Sequence, residues 1–295
     1  MTDSSKGAVV ITGVSSGIGE VISRHMMDAG YRVFGSVRKP EDANRLLDSH
    51  GALFQPLVFD VRDRKAVASA AQLTASKLGR QPLTALINNA GIALFGPMEC
   101  LDDQEFEESI AINLFGTRNV TNAFLPLLRG TNYRDKNSSV AGYAGKIINI
   151  SSLSGILNTP MNGAYCVSKH AVESLGEIYR RELLYSGIDV CSIRSGPIQS
   201  EIWAKNDGTE QVYENQGYTL MSNNAREIMQ NAANNALPAS VISNLVLDII
   251  ENRKRKVAYE IGAGSFVAKL FSSMLPARWV DRLIGKRLTK SSEKV

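Results

Sequence analysis

Short apolar runs alternate along the chain with longer stretches whose apolar positions recur at helical spacing. Ala8-Val-Val-Ile-Thr12 reads as a strand, and Ile18 to Ala29 as the helix after it, with Gly30 placed to end that helix. Arg32 to Val37 and Ala52 to Phe59 read as the second and third strands, Asp63 to Leu78 as a helix, and Leu83 to Asn88 as a fourth strand. One long helix is predicted over about Asp103 to Leu128. Then come the strand Lys146 to Ile150, a helix near Ala164 to Tyr185 and the strand Ile188 to Arg194. Strands alternating with helices build right-handed βαβ units, hence an α/β fold with a parallel sheet and helices on both faces. Two stretches stand outside this rhythm. Gly130 to Gly145 is polar and turn-rich, which predicts an exposed loop. Ser200 to Ala236, rich in Asn, Gln and Met, falls where such a fold carries a segment over its ligand crevice.

Composition narrows the class. With 44% hydrophobic and 21% charged residues and 9 prolines in 295 residues, the chain is neither disordered nor fibrous. No run approaches the ~20 apolar residues of a membrane-spanning helix. The first residues lack the apolar stretch of a signal peptide and the arginines of a presequence, so a soluble cytoplasmic protein is expected. Cys100, Cys166 and Cys191 are widely spaced, and His25, His50 and His170 have no ligand spacing, which predicts neither disulfides nor a metal.

Charge divides the chain unevenly. Residues 253–295 hold 11 basic and 3 acidic residues, net +8, while residues 1–252 hold 22 and 26, net −4. An acidic body with a basic tail argues against nucleic acid as a partner.

Chemistry enters with Thr12-Gly-Val-Ser-Ser-Gly-Ile-Gly19, between a strand and a helix. Gly13 permits a tight turn, Gly17 lets backbone approach a pyrophosphate, and Gly19 lets the helix pack closely on the strand. Ser15, Ser16 and Ile18 complete the turn, and the helix start offers free N–H groups to phosphate. The second strand ends 18 residues after Gly19 at Val37, followed by Arg38 and Lys39. An NAD site usually has an acid there for the ribose 2′-hydroxyl; two cations suit a 2′-phosphate. NADP(H) is therefore expected ahead of NAD(H). Farther on, Tyr165-Cys-Val-Ser-Lys169 sets a phenol and an ammonium at i and i+4 on one helix face. The cation is expected to lower the phenol's pKa toward that of a useful acid and base. Ser152 ends a strand 13 residues before Tyr165 and can hydrogen-bond a substrate oxygen.

Together these motifs resemble the single-domain members of the short-chain dehydrogenase/reductase family. The likeness rests on Thr12-Gly-x-x-x-Gly-Ile-Gly19, Asp60-Val61, Asn88-Asn-Ala-Gly91, Asn113, Ser152, Tyr165-x-x-x-Lys169 and Gly196-Pro197, in family order over about residues 7 to 260. It implies a doubly wound, Rossmann-type sheet of about seven strands in the order 3-2-1-4-5-6-7, with ligands outside the strands' carboxyl ends. It implies that Asp60 and Val61 hold the adenine, and that Asn88, Ala90 and Gly91 line the cofactor cleft. Tyr165 becomes the general acid/base, and Lys169 binds the nicotinamide ribose. Ser152 polarises the carbonyl, Asn113 holds a relay water, and Ile198 and Ser200 meet the nicotinamide. The chain departs from the family where Ser195-Gly196 replaces Pro-Gly, which is expected to loosen the backbone there, and where Ser200 replaces Thr.

The reading is thus NADP(H)-dependent interconversion of a carbonyl and an alcohol. Gly91-Ile-Ala-Leu-Phe-Gly-Pro-Met98 resembles the retinol and steroid dehydrogenase branch, which implies a bulky, lipophilic small-molecule substrate. Rival readings are a 3-oxoacyl reductase and a non-catalytic NADP-binding redox sensor. A homodimer or homotetramer is expected. Residues 1–264 form the dinucleotide-binding and catalytic unit, and 265–295 a basic amphipathic helical extension. Phe266, Val267, Leu270, Phe271, Met274 and Leu275 share one helical face; Trp279, Val280, Leu283, Ile284 and Leu288 repeat the pattern after Pro276. These faces are expected to pack on the domain in preference to an anionic membrane surface.

Overall fold

A computed structural model describes residues 5–129, 145–199, 217–251, 256–262, 264 and 275–289. Seven strands form one sheet in the order β3-β2-β1-β4-β5-β6-β7, and every pair is parallel. They are β1 (Ala8–Ile11), β2 (Arg32–Val37), β3 (Phe54–Val58), β4 (Ala85–Asn88), β5 (Lys146–Ser152), β6 (Asp189–Ser195) and β7 (Ala258–Ile261). Between and after them run α1 (Gly17–Asp28), α2 (Asn44–His50), α3 (Arg64–Leu78), α4 (Asp103–Ile110), α5 (Thr117–Arg129), α6 (Gly163–Glu182), α7 (Thr219–Asn234), α8 (Ser240–Ile250) and α9 (Ala277–Leu288).

Alternation along each strand divides the core into two layers. Val9, Ile11, Val33, Ile87, Ile148 and Ile193 face the side covered by α1, α2 and α8. Their neighbours Ala8, Val10, Phe34, Leu86, Ile147 and Val190 face α3, α5 and the end of α6. Burial on both faces is why these strands read as unbroken apolar runs. Pro56 is tolerated in β3 because that strand lies at the sheet edge, paired only with β2.

The long helix expected over 103–128 is interrupted. Ala111–Gly116 forms a π-helical turn between α4 and α5, and it carries the buried Asn113. Gly116 lets this turn sit close to Val61, since a Cβ there would stand 2.5 Å from a Val61 methyl. The predicted 164–185 helix ends at Glu182 and gives way to a 3-10 turn, Leu184–Ser186. Helices α2 and α8, and the position of β7, were not located from the pattern. The loop 130–145 lies, but for Gly145, outside the described residues, as do 200–216 and the first tail segment 265–274. No helix among the described residues is long and apolar enough to cross a membrane.

Candidate active site

A cavity of about 340 Å³ opens at the carboxyl ends of β1, β4, β5 and β6, where the chain leaves the sheet in opposite directions. Its floor at one end is the glycine turn. Gly13 (φ +70°) and Gly17 (φ +61°) occupy the left-handed region, and a Cβ on Gly13 would stand 3.0 Å from the Ala90 Cα. Ser15, Ser16, Gly17 and Ile18 line the cavity, and no side chain caps the first N–H groups of α1. Gly19 lies outside the cavity wall. A Cβ there would run into the Gly13 carbonyl oxygen and stand 2.5 Å from Asn89 Nδ2, so its contribution is close packing behind the turn.

The turn is held from three sides. The Gly13 N–H donates to Ser36 Oγ (3.0 Å). The N–H groups of Asn89 and Ala90 donate to Thr12 Oγ1 (both 2.9 Å), and Asn89 Nδ2 donates to the carbonyls of Thr12 (2.9 Å) and Gly13 (3.1 Å). Arg45, on α2, donates to the Ser15 carbonyl (2.8 Å). The sequence pattern assigns none of Thr12, Ser36, Arg45 and Asn89 a role of its own at the site. Strand alternation was the available signal for Asn89, because of two adjacent asparagines only one can face the sheet interior.

That signal also corrects the reading of Asn88. Its side chain is buried and does not line the cavity; Nδ2 donates to Thr121 Oγ1 (3.0 Å) and Asn149 Oδ1 (2.9 Å), tying β4 to α5 and β5. Ala90 and Gly91 do line the cavity. At the other end of the glycine turn Arg38 lines the wall, while Lys39 is exposed and outside it. Asp60 and Val61 are part of the wall. The Arg62 guanidinium grips both Asp60 carboxylate oxygens (3.0 and 2.8 Å) and holds that carboxyl below its ordinary pKa, with Arg38 adding to the effect.

Ser152, Tyr165 and Lys169 meet at the opposite end of the cavity. Ser152 closes β5, and Tyr165 and Lys169 stand one turn apart on α6. Burial pushes the Tyr165 phenol up to about 12, opposed by the hydrogen bond with the Ser152 hydroxyl. Burial likewise pushes the Lys169 ammonium down to about 8, opposed by the Glu173 carboxylate. The expected lowering of the tyrosine by its lysine is therefore not what the structure shows. Lys169 Nζ donates to the Ile150 carbonyl (2.9 Å) and sits over the Tyr165 ring, 5.6 Å from its centre, so desolvation dominates.

Behind Lys169 lies a charge cluster. Glu173, one further turn along α6, accepts from Arg194 Nε (2.9 Å) and Nη2 (2.7 Å), and Arg194 Nη1 donates to Glu260 of β7 (3.2 Å). The i+4 spacing from Lys169 is the feature of the sequence that points to Glu173.

Asn113 does not reach the cavity. Its Oδ1 accepts from the Ile92 N–H, and its Nδ2 donates to the Ile92 carbonyl and to Ser168 Oγ, each at 2.9 Å. Both amide hydrogens are committed, so the side chain clamps the loop after β4 onto α6. Ile198 lines the cavity, and Ser200 lies outside the described residues. The backbone at Ser195-Gly196 is not left loose by the missing proline. Gly196 N–H donates to the Ile261 carbonyl (2.7 Å), Leu237 N–H to the Pro197 carbonyl (3.1 Å), and Ser195 Oγ to the Ser151 carbonyl (3.4 Å).

The cradle suits a dinucleotide: a turn with glycine at its two left-handed positions, an uncapped helix start, a cation at the end of β2, and a buried phenol and ammonium at the far end. Comparison with known proteins agrees. A family model described as short chain dehydrogenase matches residues 7–211. The chain belongs to the short-chain dehydrogenase family. It is 33% identical to the NADPH-dependent 3-dehydrocapnine reductase of Ornithobacterium rhinotracheale, over 96% of this chain and 98% of the relative. It is 28% identical to human short-chain dehydrogenase/reductase family 9C member 7, over 97% and 91% of the two chains. A short-chain dehydrogenase structure from Streptomyces avermitilis superposes with a TM-score of 0.77 at 22% identity, covering 97% of this chain and 96% of that one. As a short-chain dehydrogenase, the protein is an oxidoreductase.

Proposed function

We propose that this short-chain dehydrogenase is an NADPH-dependent reductase that converts a ketone on a lipophilic molecule to a secondary alcohol. The observation that carries the reading is the pairing, in one cavity, of Arg38 at one end with the Ser152–Tyr165–Lys169 group at the other. Arg38 follows Val37 at the end of β2, where the chain itself carries two cations and no acid for a ribose 2′-hydroxyl, which suits a 2′-phosphate. The name of the 33% identical bacterial relative, an NADPH-dependent reductase, supports both cofactor and direction.

NADPH, when bound, supplies the hydride. The protein's residues do the rest. Ser152 Oγ donates to the substrate carbonyl oxygen and fixes it beside Tyr165. With its pKa raised by burial, Tyr165 holds its proton at neutral pH and delivers it to that oxygen as negative charge develops. The Lys169 ammonium above the ring stabilises the phenolate left behind.

The wall supports a lipophilic substrate. Ile92, Ala93, Leu94 and Ile198 line the cavity. Next to it, Phe95 and Met161 join Tyr218, Met221 and Met229 in a separate apolar cluster. Methionine and aromatic side chains of this kind adapt to long hydrocarbon shapes. The test is consumption of NADPH and of NADH against ketones of increasing chain length. A rate that rises with chain length and favours NADPH supports the reading. A preference for NADH, or for short polar ketones, refutes it.

A further inference from the structure

Helix α9 has two faces of different chemistry, and only one is covered. Its inner face is fixed: Leu288 and Ile284 pack into the cluster of Phe95, Met161 and Ala225, and Asn224 of α7 donates to the Leu288 carbonyl (2.7 Å). Its outer face leaves Trp279 61% and Leu283 49% exposed. These two residues are one turn apart on the helix, and Arg278, Arg282, Lys286 and Arg287 around them are all exposed. Asp281 is the only acid on the helix.

We propose that this outer face is a docking surface for anionic lipid headgroups. A helix that needed only to pack on its own domain would turn its tryptophan inward; here the largest apolar side chain points to solvent within a ring of cations. That arrangement fits the membrane interface, where an indole settles at headgroup level and guanidinium groups pair with phosphates. The wider charge pattern works the same way: residues 253–295 carry +8 and the rest of the chain −4, so the molecule presents its tail to a negative surface. Two copies meeting through this face would set like charges against each other, which disfavours self-association there. The inner face of the same helix belongs to the cluster that includes Phe95, the neighbour of Leu94 in the cavity wall. Docking therefore holds the substrate side of the cavity close to the lipid. The binding itself stands apart from the catalytic reading, because it is measured without substrate or cofactor.

The experiment uses the full chain and vesicles of about one part phosphatidylserine to three parts phosphatidylcholine, with pure phosphatidylcholine as control. Co-sedimentation is followed at roughly 50 and 500 mM salt. Trp203 and Trp279 are the 2 tryptophans, so a Trp203→Phe variant reports insertion of Trp279 as a blue shift of its emission. The expected result is binding to the anionic vesicles alone, weakened by salt. The triple variant R278E/R282E/K286E should lose ~100-fold in partitioning, at about fivefold per removed cation, with its melting temperature and NADPH oxidation retained. No sedimentation at low salt overturns the proposal. So does equal binding to neutral vesicles, or binding that survives the triple reversal. A smaller particle on gel filtration for W279A/L283S would assign the face to a second copy of the chain and overturn it as well.

Discussion

Gly19→Ala sets two effects of known sign against each other. The backbone of Gly19 is ordinary α-helix within Gly17–Asp28, so by intrinsic propensity alone alanine stabilises the helix by about 1 kcal/mol. Against this, the new methyl group meets the Gly13 carbonyl oxygen and stands 2.5 Å from Asn89 Nδ2 and 3.0 Å from the Gly13 carbonyl carbon. Backbone cannot swing aside as a flexible side chain can. Relieving such an overlap costs roughly 1–3 kcal/mol. The Asn89 amide, displaced from the carbonyls of Thr12 and Gly13, gives up two hydrogen bonds at ~1 kcal/mol each. The balance is a net loss of about 2–4 kcal/mol, and for a chain of this size a fall in Tm of roughly 4–8 °C. Because the methyl group pushes α1 away from the glycine turn, NADPH affinity should fall by ~10-fold or more. Thermal melting and fluorescence titration with NADPH read the two effects separately. A variant with unchanged or raised Tm and intact affinity would show that propensity wins and that the close approach of α1 to the turn is not as described.

Tyr165→Phe keeps the ring and removes the proton donor; steady-state turnover should fall by ~100-fold or more while NADPH titration is unchanged. Arg38→Asp repels a 2′-phosphate and accepts from a 2′-hydroxyl, so the ratio of kcat/KM for NADPH over NADH should drop by about 10- to 100-fold. Lys169 titrates at about 8 because burial disfavours its ammonium. The charged form is the one that supports the phenolate, so the kcat/KM of reduction should hold below that pH and decline as pH rises through it. A flat profile between about pH 6 and pH 10 would remove Lys169 from that role. Glu173→Gln withdraws the carboxylate that opposes the shift, and the same descending limb should move to lower pH.

Where one interaction dominates, sequence pattern and structure agree. Ala8–Ile11 and Arg32–Val37 are apolar on both sides because helices cover both, and the strand order is the one that the family resemblance implies. Gly13 and Gly17 were readable because a left-handed turn admits little else. What escaped depends on contacts between distant segments. Asn88 and Asn89 look alike on paper, yet the pleat sends one to Thr121 and Asn149 and the other to the glycine turn. β7 is 4 residues long with Glu260 in its middle, and its place is set by pairing with β6, not by its own composition. Tyr165 and Lys169 were recognised as a pair, but the sign of the tyrosine's shift depends on how dry the site is, which spacing along a helix does not convey.

The π-helical turn at Ala111–Gly116 makes the helix pair around it act like a vernier. A wide turn holds one more residue than an α-helix needs for the same rise, so the faces before and after it are offset. That offset lets α4 and α5 each keep its own apolar stripe inward while Asn113, at the step, reaches both Ile92 and Ser168. Chain length in this stretch is therefore a functional quantity. Dropping any residue between 111 and 116 other than Asn113 would close the ladder into regular α-helix and remove the step on which Asn113 stands. The clamp between the loop after β4 and α6 would then be lost, although every side chain that forms it is still present.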